Sequence, residues 1–162
     1  MDVKLISYKQ EVEEMIRLII EFWKEHNSII PTQEDALSDL KEWSKEGDKL
    51  YFINYENQNV GFVHLGSRGC EPDWLENIFV LKDFQNKGIG TRTIELVEEI
   101  VKEYSECLYI EVAARNTKVI RLYHRIGYDC LNTLTIRKDF NKEKYERVTK
   151  ETILDLDFEI RK

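Results

Sequence analysis

Ile78-Phe79-Val80-Leu81-Lys82-Asp83-Phe84-Gln85-Asn86-Lys87-Gly88-Ile89-Gly90-Thr91 is the stretch on which the fold turns. Its apolar start reads as the end of a strand, and beyond Thr91 the residues Ile94, Val97, Val101 and Tyr104 recur at helical spacing. Between the two, Gly88 and Gly90 suit a backbone that must come close to another group, where a Cβ would collide. A helix that starts directly behind a loop presents unpaired N–H groups and the positive end of its dipole. Gln85 through Thr91 is therefore a candidate cradle for a diphosphate, with Lys87 adding charge. A Walker loop would need Gly-Lys-Ser/Thr after four spacer residues, and a dinucleotide fingerprint would need a third glycine where Thr93 stands, so neither applies. The Gly-x-Gly pair alone is equally what an ordinary strand-to-helix turn carries, and its surroundings have to decide.

Toward the N-terminus, residues 74–81 are apolar enough for the centre of a sheet, with the acidic Glu76 as an intrusion. Residues 50–55 and 60–65 flank a polar turn at 56–59 and read as a hairpin. Further back, Val12, Met15, Ile16, Ile19, Phe22 and Trp23 define an amphipathic helix. After a break at 27–31, Thr32 is placed to N-cap a second helix carrying Leu37, Leu40 and Trp43, and Val3 to Ile6 opens the chain as a strand. Toward the C-terminus, residues 108–112 read as a strand, 116–125 as a helix closed by Gly127, and 128–136 as a further strand. A charged stretch at 138–150 precedes residues 154–161, whose apolar and charged residues alternate strictly and predict a half-exposed strand closing the sheet. The expected architecture is one mixed α/β (α+β) domain over residues 1–162, helices flanking a central sheet of about six to seven strands.

Composition narrows the function. The chain of 162 residues is 42% hydrophobic and 34% charged, with only two prolines, which is the profile of a folded domain that needs no disulfides or metal to build a core. A net charge of −7 speaks against nonspecific nucleic-acid binding and suits a cationic small partner, although such an excess also serves solubility alone. The three cysteines, Cys70, Cys107 and Cys130, are odd in number and lack metal-type spacing, so a reduced cytoplasmic setting is expected, with no metal site. The N-terminal residues have no apolar signal-peptide core, and no run of about 18 apolar residues occurs, so no membrane partner is expected.

Phe79-Val80 followed by Gln85-Asn86-Lys87-Gly88-Ile89-Gly90 resembles the hallmark of the GNAT superfamily of acyl-CoA-dependent N-acetyltransferases, Gln/Arg-x-x-Gly-x-Gly/Ala after a strand ending in an aromatic and valine. The later Asn116, Tyr123 and Gly127-Tyr128 resemble the same family's second motif, and the order of elements agrees over nearly the whole chain. The resemblance implies the GNAT fold and acetyl-CoA as co-substrate. Its pantetheine arm would pair like an extra strand with the backbone of Ile78, Phe79 and Val80, and its pyrophosphate would rest on Gln85, Asn86, Lys87, Gly88, Ile89, Gly90 and Thr91. Asn116 would hydrogen-bond the pantetheine or, equally, N-cap its own helix.

Acyl transfer to an amine needs a neutral nitrogen, yet an alkylamine with a pKa near about 10 is almost wholly protonated at neutral pH, so a base is required. Glu76, on the strand that would flank the thioester, is the first candidate, and its place four residues before Val80 resembles that in polyamine acetyltransferases. Glu111 on the neighbouring strand is the rival, and an ion pair or an exposed strand face is the plainer explanation of Glu76. Tyr123 resembles the family's late-helix tyrosine, which protonates the departing thiolate, and its plainer explanation is a packed aromatic. The resemblance also implies that the Val80 N–H would meet the charge on the carbonyl oxygen.

His26, His64 and His124 show no metal-type spacing and read as ordinary surface or core histidines, and Cys70 has no base beside it. In this family the acceptor is chosen by the region between the first two helices and by the late strands. Here Glu25, Glu34, Asp35 and Asp39 would favour a cationic amine if they face the cleft. The expected activity is acetylation of a primary amine on a small, cationic acceptor. Alternatives are a protein lysine or N-terminal acetyltransferase and a non-catalytic CoA-binding sensor. The charged stretch and the final strand also suit pairing with a second subunit as a homodimer.

Overall fold

The computed structural model describes residues 1–28 and 30–162, which fall into two compact units, Met1–Glu111 and Val112–Lys162. The helix break expected at 27–31 includes residue 29, which lies outside the described residues.

The first unit is built on a five-stranded sheet ordered β1 (Val3–Ser7), β2 (Lys49–Tyr55), β3 (Gln58–Gly66), β4 (Trp74–Val80) and β5 (Tyr109–Ile110), antiparallel up to β4 and parallel between β4 and β5. The β2–β3 hairpin turns on two residues, Glu56 and Asn57, both at positive φ (50° and 64°), the hand that lets two twisted strands meet across a tight loop. Gln58 and Asn59, expected in the turn, instead pair with Tyr55 and Asn54.

Helices α1 (Val12–Asn27) and α2 (Gln33–Trp43) cover one face. Met15, Leu18, Ile19 and Phe22 of α1 and Ala36, Leu40 and Trp43 of α2 form a continuous core with Leu50, Phe52, Phe62 and Phe79 of the sheet. The Phe22 ring alone meets Phe62 at 5.7 Å and Phe79 at 5.8 Å, both edge-on, an arrangement that adds about 0.5–1.5 kcal/mol per pair beyond area burial. Thr32 caps α2 as its sequence predicts: its hydroxyl accepts from the Asp35 N–H (3.1 Å) while the Asp35 carboxylate accepts from the Thr32 N–H (2.9 Å). On the opposite face, α3 (Ile89–Val101) packs against β1 and β4 and buries Ile94, Val97 and Val101.

The second unit holds α4 (Thr117–Arg125) and a separate two-stranded sheet of β6 (Arg147–Ile153) and β7 (Leu156–Arg161). α4 ends in a Schellman turn: Gly127 lies at φ 106°, its N–H donates to the His124 carbonyl (3.1 Å), and the Tyr128 N–H donates to the Tyr123 carbonyl (3.0 Å).

The mixed class agrees with expectation, the main sheet holds five strands where about six to seven were expected, the other two forming a sheet of their own, and three further details differ. Residues 128–136 form no strand, because their backbone finds no ladder partner among the described residues. Part of the charged stretch, Arg147 to Lys150, belongs to β6. Leu154 and Asp155 are the turn of a β6–β7 hairpin, both at positive φ (53° and 60°), so the final strand starts at Leu156 and pairs locally instead of closing the main sheet. No helix among the described residues is long and apolar enough to cross a membrane.

Candidate active site

The loop after β4 begins with a single 3-10 turn, Lys82–Phe84, and reaches α3 through Asn86 and Gly88, at φ 59° and 81°. Gly88 is the N-cap residue of α3, and neither a side-chain cap nor an acidic residue in the first turn offsets that helix end. Its leading N–H groups have no intrahelical acceptor by construction, and so they remain donors for an anion. A Cβ at Gly90 would meet nothing within 4 Å, so this glycine is not required by packing and leaves open space beside the loop. Ile89 plugs the loop into the core at 1% exposure, which leaves its backbone alone to face a ligand. The Gln85 side chain acts as a brace, its Nε2 donating to the Val80 carbonyl (2.8 Å) and to Glu25 (2.9 Å). Lys87 is exposed, its ammonium 5.1 Å from the centre of the Phe84 ring, and Thr91 lies half-buried in the first turn of α3.

On the β5 side, β4 is paired only at Trp74 with Tyr109 and at Leu75 with Ile110. The outer edge of Glu76 through Val80 thus has no strand partner among the described residues, and Ile78, Phe79 and Val80 offer the unpaired edge that the pantetheine reading requires. Gly61 of β3 lies so close on the other side that a Cβ there would stand 2.0 Å from the Phe79 carbonyl oxygen. The uncapped helix end, the open space at Gly90 and the free β4 edge together fit the diphosphate and amide-bearing arm of acetyl-CoA, whose thioester supplies the acetyl group.

Glu76 is the residue the sequence left unexplained, and a β-bulge accounts for it. His64 pairs with Asn77 and Leu65 with Leu75, so Glu76 is the extra residue of β4, with no partner on β3. Bulges of this kind re-aim a side chain out of the regular alternation. The carboxylate lies over Gly66, where a Cβ would stand 2.6 Å from its Cγ. It accepts two hydrogen bonds from Arg68, from Nε at 3.0 Å and from the terminal NH2 nitrogen at 3.1 Å, and the same nitrogen donates to Glu111 at 3.1 Å. The first candidate base and its rival are therefore held by one guanidinium. These bonds, led by that to Glu76, push the Arg68 pKa further up. The ion pair considered for Glu76 exists, and it sits next to the free strand edge.

Beside Glu76, Trp43, Asp48, His64, Gly66 and Asn77 help to line a hollow of about 240 Å³. His64 is buried at 5% exposure, its Nε2 2.8 Å from Asp48, its Nδ1 3.2 Å from the Asn77 amide, and its ring stacked on Trp43 at 5.6 Å. Burial pushes the His64 pKa down, outweighing the contact with Asp48 that acts upward, so the ring is neutral at neutral pH. A neutral ring donating to Asp48 and accepting from Asn77 is fully satisfied, a core histidine that fixes the end of the β3–β4 pair. His26 and His124 are exposed, and His26 stacks on Phe22 at 5.3 Å.

In the second unit, Asn116 occupies the N-cap position of α4 but makes no side-chain cap hydrogen bond, so capping does not account for its amide. Tyr123 is half-buried with its ring 5.7 Å from that of Tyr128. Burial pushes its phenol pKa up, which keeps the hydroxyl protonated as a donor. The acidic residues of the first two helices are largely committed: Asp35 to the Thr32 cap, Asp39 to the Trp23 indole N–H (2.7 Å) and Glu25 to Gln85. Arg68 and Trp74 were not singled out in the sequence, and no local signal marks them, since Arg68 and Glu111 lie 43 positions apart.

Residues 12–128 match the acetyltransferase (GNAT) family, and the chain belongs to it. It is an acetyl-CoA-dependent N-acetyltransferase, acting on an amine. The probable spermine N(1)-acetyltransferase of Bacillus subtilis subsp. natto (strain BEST195) is 33% identical over 126 residues, 72% of this chain and 79% of that protein. The [ribosomal protein bS18]-alanine N-acetyltransferase of Escherichia coli (strain K12) is 37% identical over 99 residues, 60% of this chain and 65% of that one. In fold, a GNAT acetyltransferase from Elizabethkingia anophelis with acetyl-CoA bound superposes with a TM-score of 0.61, at 19% identity, covering 96% of this chain and 92% of its own.

Proposed function

We propose that the protein acetylates a primary amine of a small cationic acceptor of the polyamine type, with Glu76 as general base and Tyr123 as the acid that serves the departing thiolate. The observation that carries this reading is the bulge, which turns the Glu76 carboxylate out of the strand alternation next to the unpaired β4 edge. The likeness to a spermine acetyltransferase over 72% of the chain supports the choice of acceptor.

Acetyl-CoA supplies an acetyl thioester. Backbone N–H groups at Gln85 through Thr91 hold its diphosphate, and the edge of Ile78, Phe79 and Val80 receives the pantetheine amides. Glu76 takes one proton from the acceptor ammonium, directly or through water, leaving a nitrogen lone pair free to attack the carbonyl carbon. The Val80 N–H stabilises the charge that builds on the carbonyl oxygen. As the C–S bond breaks, the electron pair stays with sulfur, the Tyr123 hydroxyl gives it a proton, and the second proton that the nitrogen loses on becoming an amide passes through water to restore the tyrosine. Asn116, with its amide free of a capping bond, holds the pantetheine. Homodimerisation in the cytoplasm, through the open edges of the β6–β7 hairpin, belongs to the same proposal, and a monomeric mass by light scattering would remove the dimer.

The test is thiol release from acetyl-CoA with mass-spectrometric detection of product, using spermidine, a lysine peptide and an alanine-initiated peptide as acceptors. Spermidine is expected to turn over best. Preference for the alanine peptide would favour the second reading, a protein N-terminal acetyltransferase, for which the bS18-alanine relative speaks. Binding of acetyl-CoA without release by any acceptor would leave a sensor.

A further inference from the structure

Arg68 stands in the segment between β3 and β4, and its guanidinium makes three kinds of contact at once. It forks onto both oxygens of Glu76 at 3.0 and 3.1 Å, reaches Glu111 at 3.1 Å, and lies 3.6 Å above the centre of the Trp74 ring. Trp74 is itself fixed by stacking on Tyr109, with ring centres 4.8 Å apart and planes at 16°. The result is a cation held between two carboxylates on an indole face, the contacts that a desolvating alkylammonium also seeks. The arrangement is part-open, with the Arg68 side chain 42% and that of Glu76 28% exposed, so the guanidinium can leave it. Gly66 keeps the Glu76 side chain down in this pose.

A carboxylate whose two oxygens both accept from a guanidinium is poorly placed to accept a proton from another cation. An acceptor ammonium brought to Glu76 therefore competes with Arg68 for the same oxygens and the same ring. We propose that Arg68 is an internal competitor of the cationic acceptor, latching Glu76 and Glu111 over Trp74 until the acceptor's ammonium displaces it. Arg68 is thus a specificity-determining residue. A monocation competes poorly with a forked guanidinium, whereas a di- or polycation brings enough charge to take both carboxylates. The inference rests on the reading of Glu76 as base and of the acceptor as a polyamine.

The experiment compares wild type with Arg68→Gln and Arg68→Lys, all checked by thermal melting. It measures spermidine KM and kcat at saturating acetyl-CoA, and spermidine binding by calorimetry with CoA present. Release of a latch populated most of the time lowers KM and the calorimetric Kd about five- to tenfold without lowering kcat. Arg68→Lys is expected to follow Arg68→Gln, because an ammonium cannot fork onto Glu76 while bridging to Glu111. A rise in KM or Kd on removing Arg68 would overturn the proposal, showing that the guanidinium helps to hold acceptor. Arg68→Lys behaving as wild type would also overturn it, since charge alone would then explain Arg68→Gln. Absence of spermidine binding in all three proteins would overturn it as well. Binding with no acetylation by wild type would defeat the functional reading while the calorimetric comparison still judged the latch.

Discussion

Replacing Gly90 with glutamate should move stability and ligand binding in opposite directions. Gly90 is the second residue of α3, at a backbone conformation that any residue adopts, and a Cβ there meets nothing within 4 Å. For the fold alone glutamate is the better residue, by about 0.5–1 kcal/mol, through its helix propensity and its negative charge at the positive end of the helix. A chain of this size gains about 2–4 °C in melting temperature per kcal/mol, so the apo protein should melt about 1–4 °C higher. If Gln85 through Thr91 wraps a diphosphate, the same carboxylate repels it at close range, and acetyl-CoA affinity by calorimetry should fall about tenfold or more, equivalent to about 1.4 kcal/mol. Gly88→Ala separates the two effects. At φ 81° its cost appears in the apo protein, about 1 kcal/mol of lost stability, as well as in binding. A Gly90→Glu protein that is stabilised and binds acetyl-CoA as wild type does would refute the cradle, reducing the glycine pair to a turn.

Glu76→Gln keeps the shape and at most one of the two bonds from Arg68 but cannot take a proton, so kcat should fall about 100-fold or more with acetyl-CoA affinity unchanged; turnover within a few-fold of wild type would remove Glu76 as base. Gly66→Ala should lift the Glu76 side chain from its seat and lower kcat, with folding affected by only about 1 kcal/mol in a denaturant titration. Tyr123→Phe should lower kcat while KM for acetyl-CoA holds. Because burial raises the Tyr123 pKa, wild-type kcat should show no alkaline decline from this group below about pH 10. His64 has its pKa lowered in the fold, so its contribution to stability is present above about pH 6.5 and is lost as pH falls from there through the folded value. His64→Gln should flatten that part of the melting-temperature profile, and an identical profile in the variant would place the titration elsewhere.

Elements whose stability is local were legible in the sequence. The Thr32 capping box, the α1 stripe and the helix after the glycine loop each depend on residues within one or two turns, and each formed within a few residues of expectation. The late strands were less so, because β6 is held by polar cross-strand pairs such as Lys150 with Asp157 (2.7 Å) and has no apolar alternation to announce it. Its turn uses Leu154 at positive φ, a residue that sequence rules do not associate with a tight turn.

The site divides along the same line. The proposed phosphate cradle is local chemistry: a strand end, two glycines and a helix start within fourteen consecutive positions. The environment of Glu76 depends instead on long-range register, since one extra residue in β4 decides where the carboxylate points and Gly66 on the adjacent strand decides where it lies. Only when β4 and β5 come together does Glu111 join it on Arg68. Two carboxylates that the sequence offered as rival bases thus become members of one ion cluster. Mutating either therefore alters the bonds of the other, so single substitutions cannot apportion their roles. A double-mutant cycle of Glu76→Gln and Glu111→Gln separates them: a coupling in spermidine KM that vanishes when Arg68 is also glutamine would assign the linkage to the guanidinium, and a coupling that persists would assign it to the acceptor.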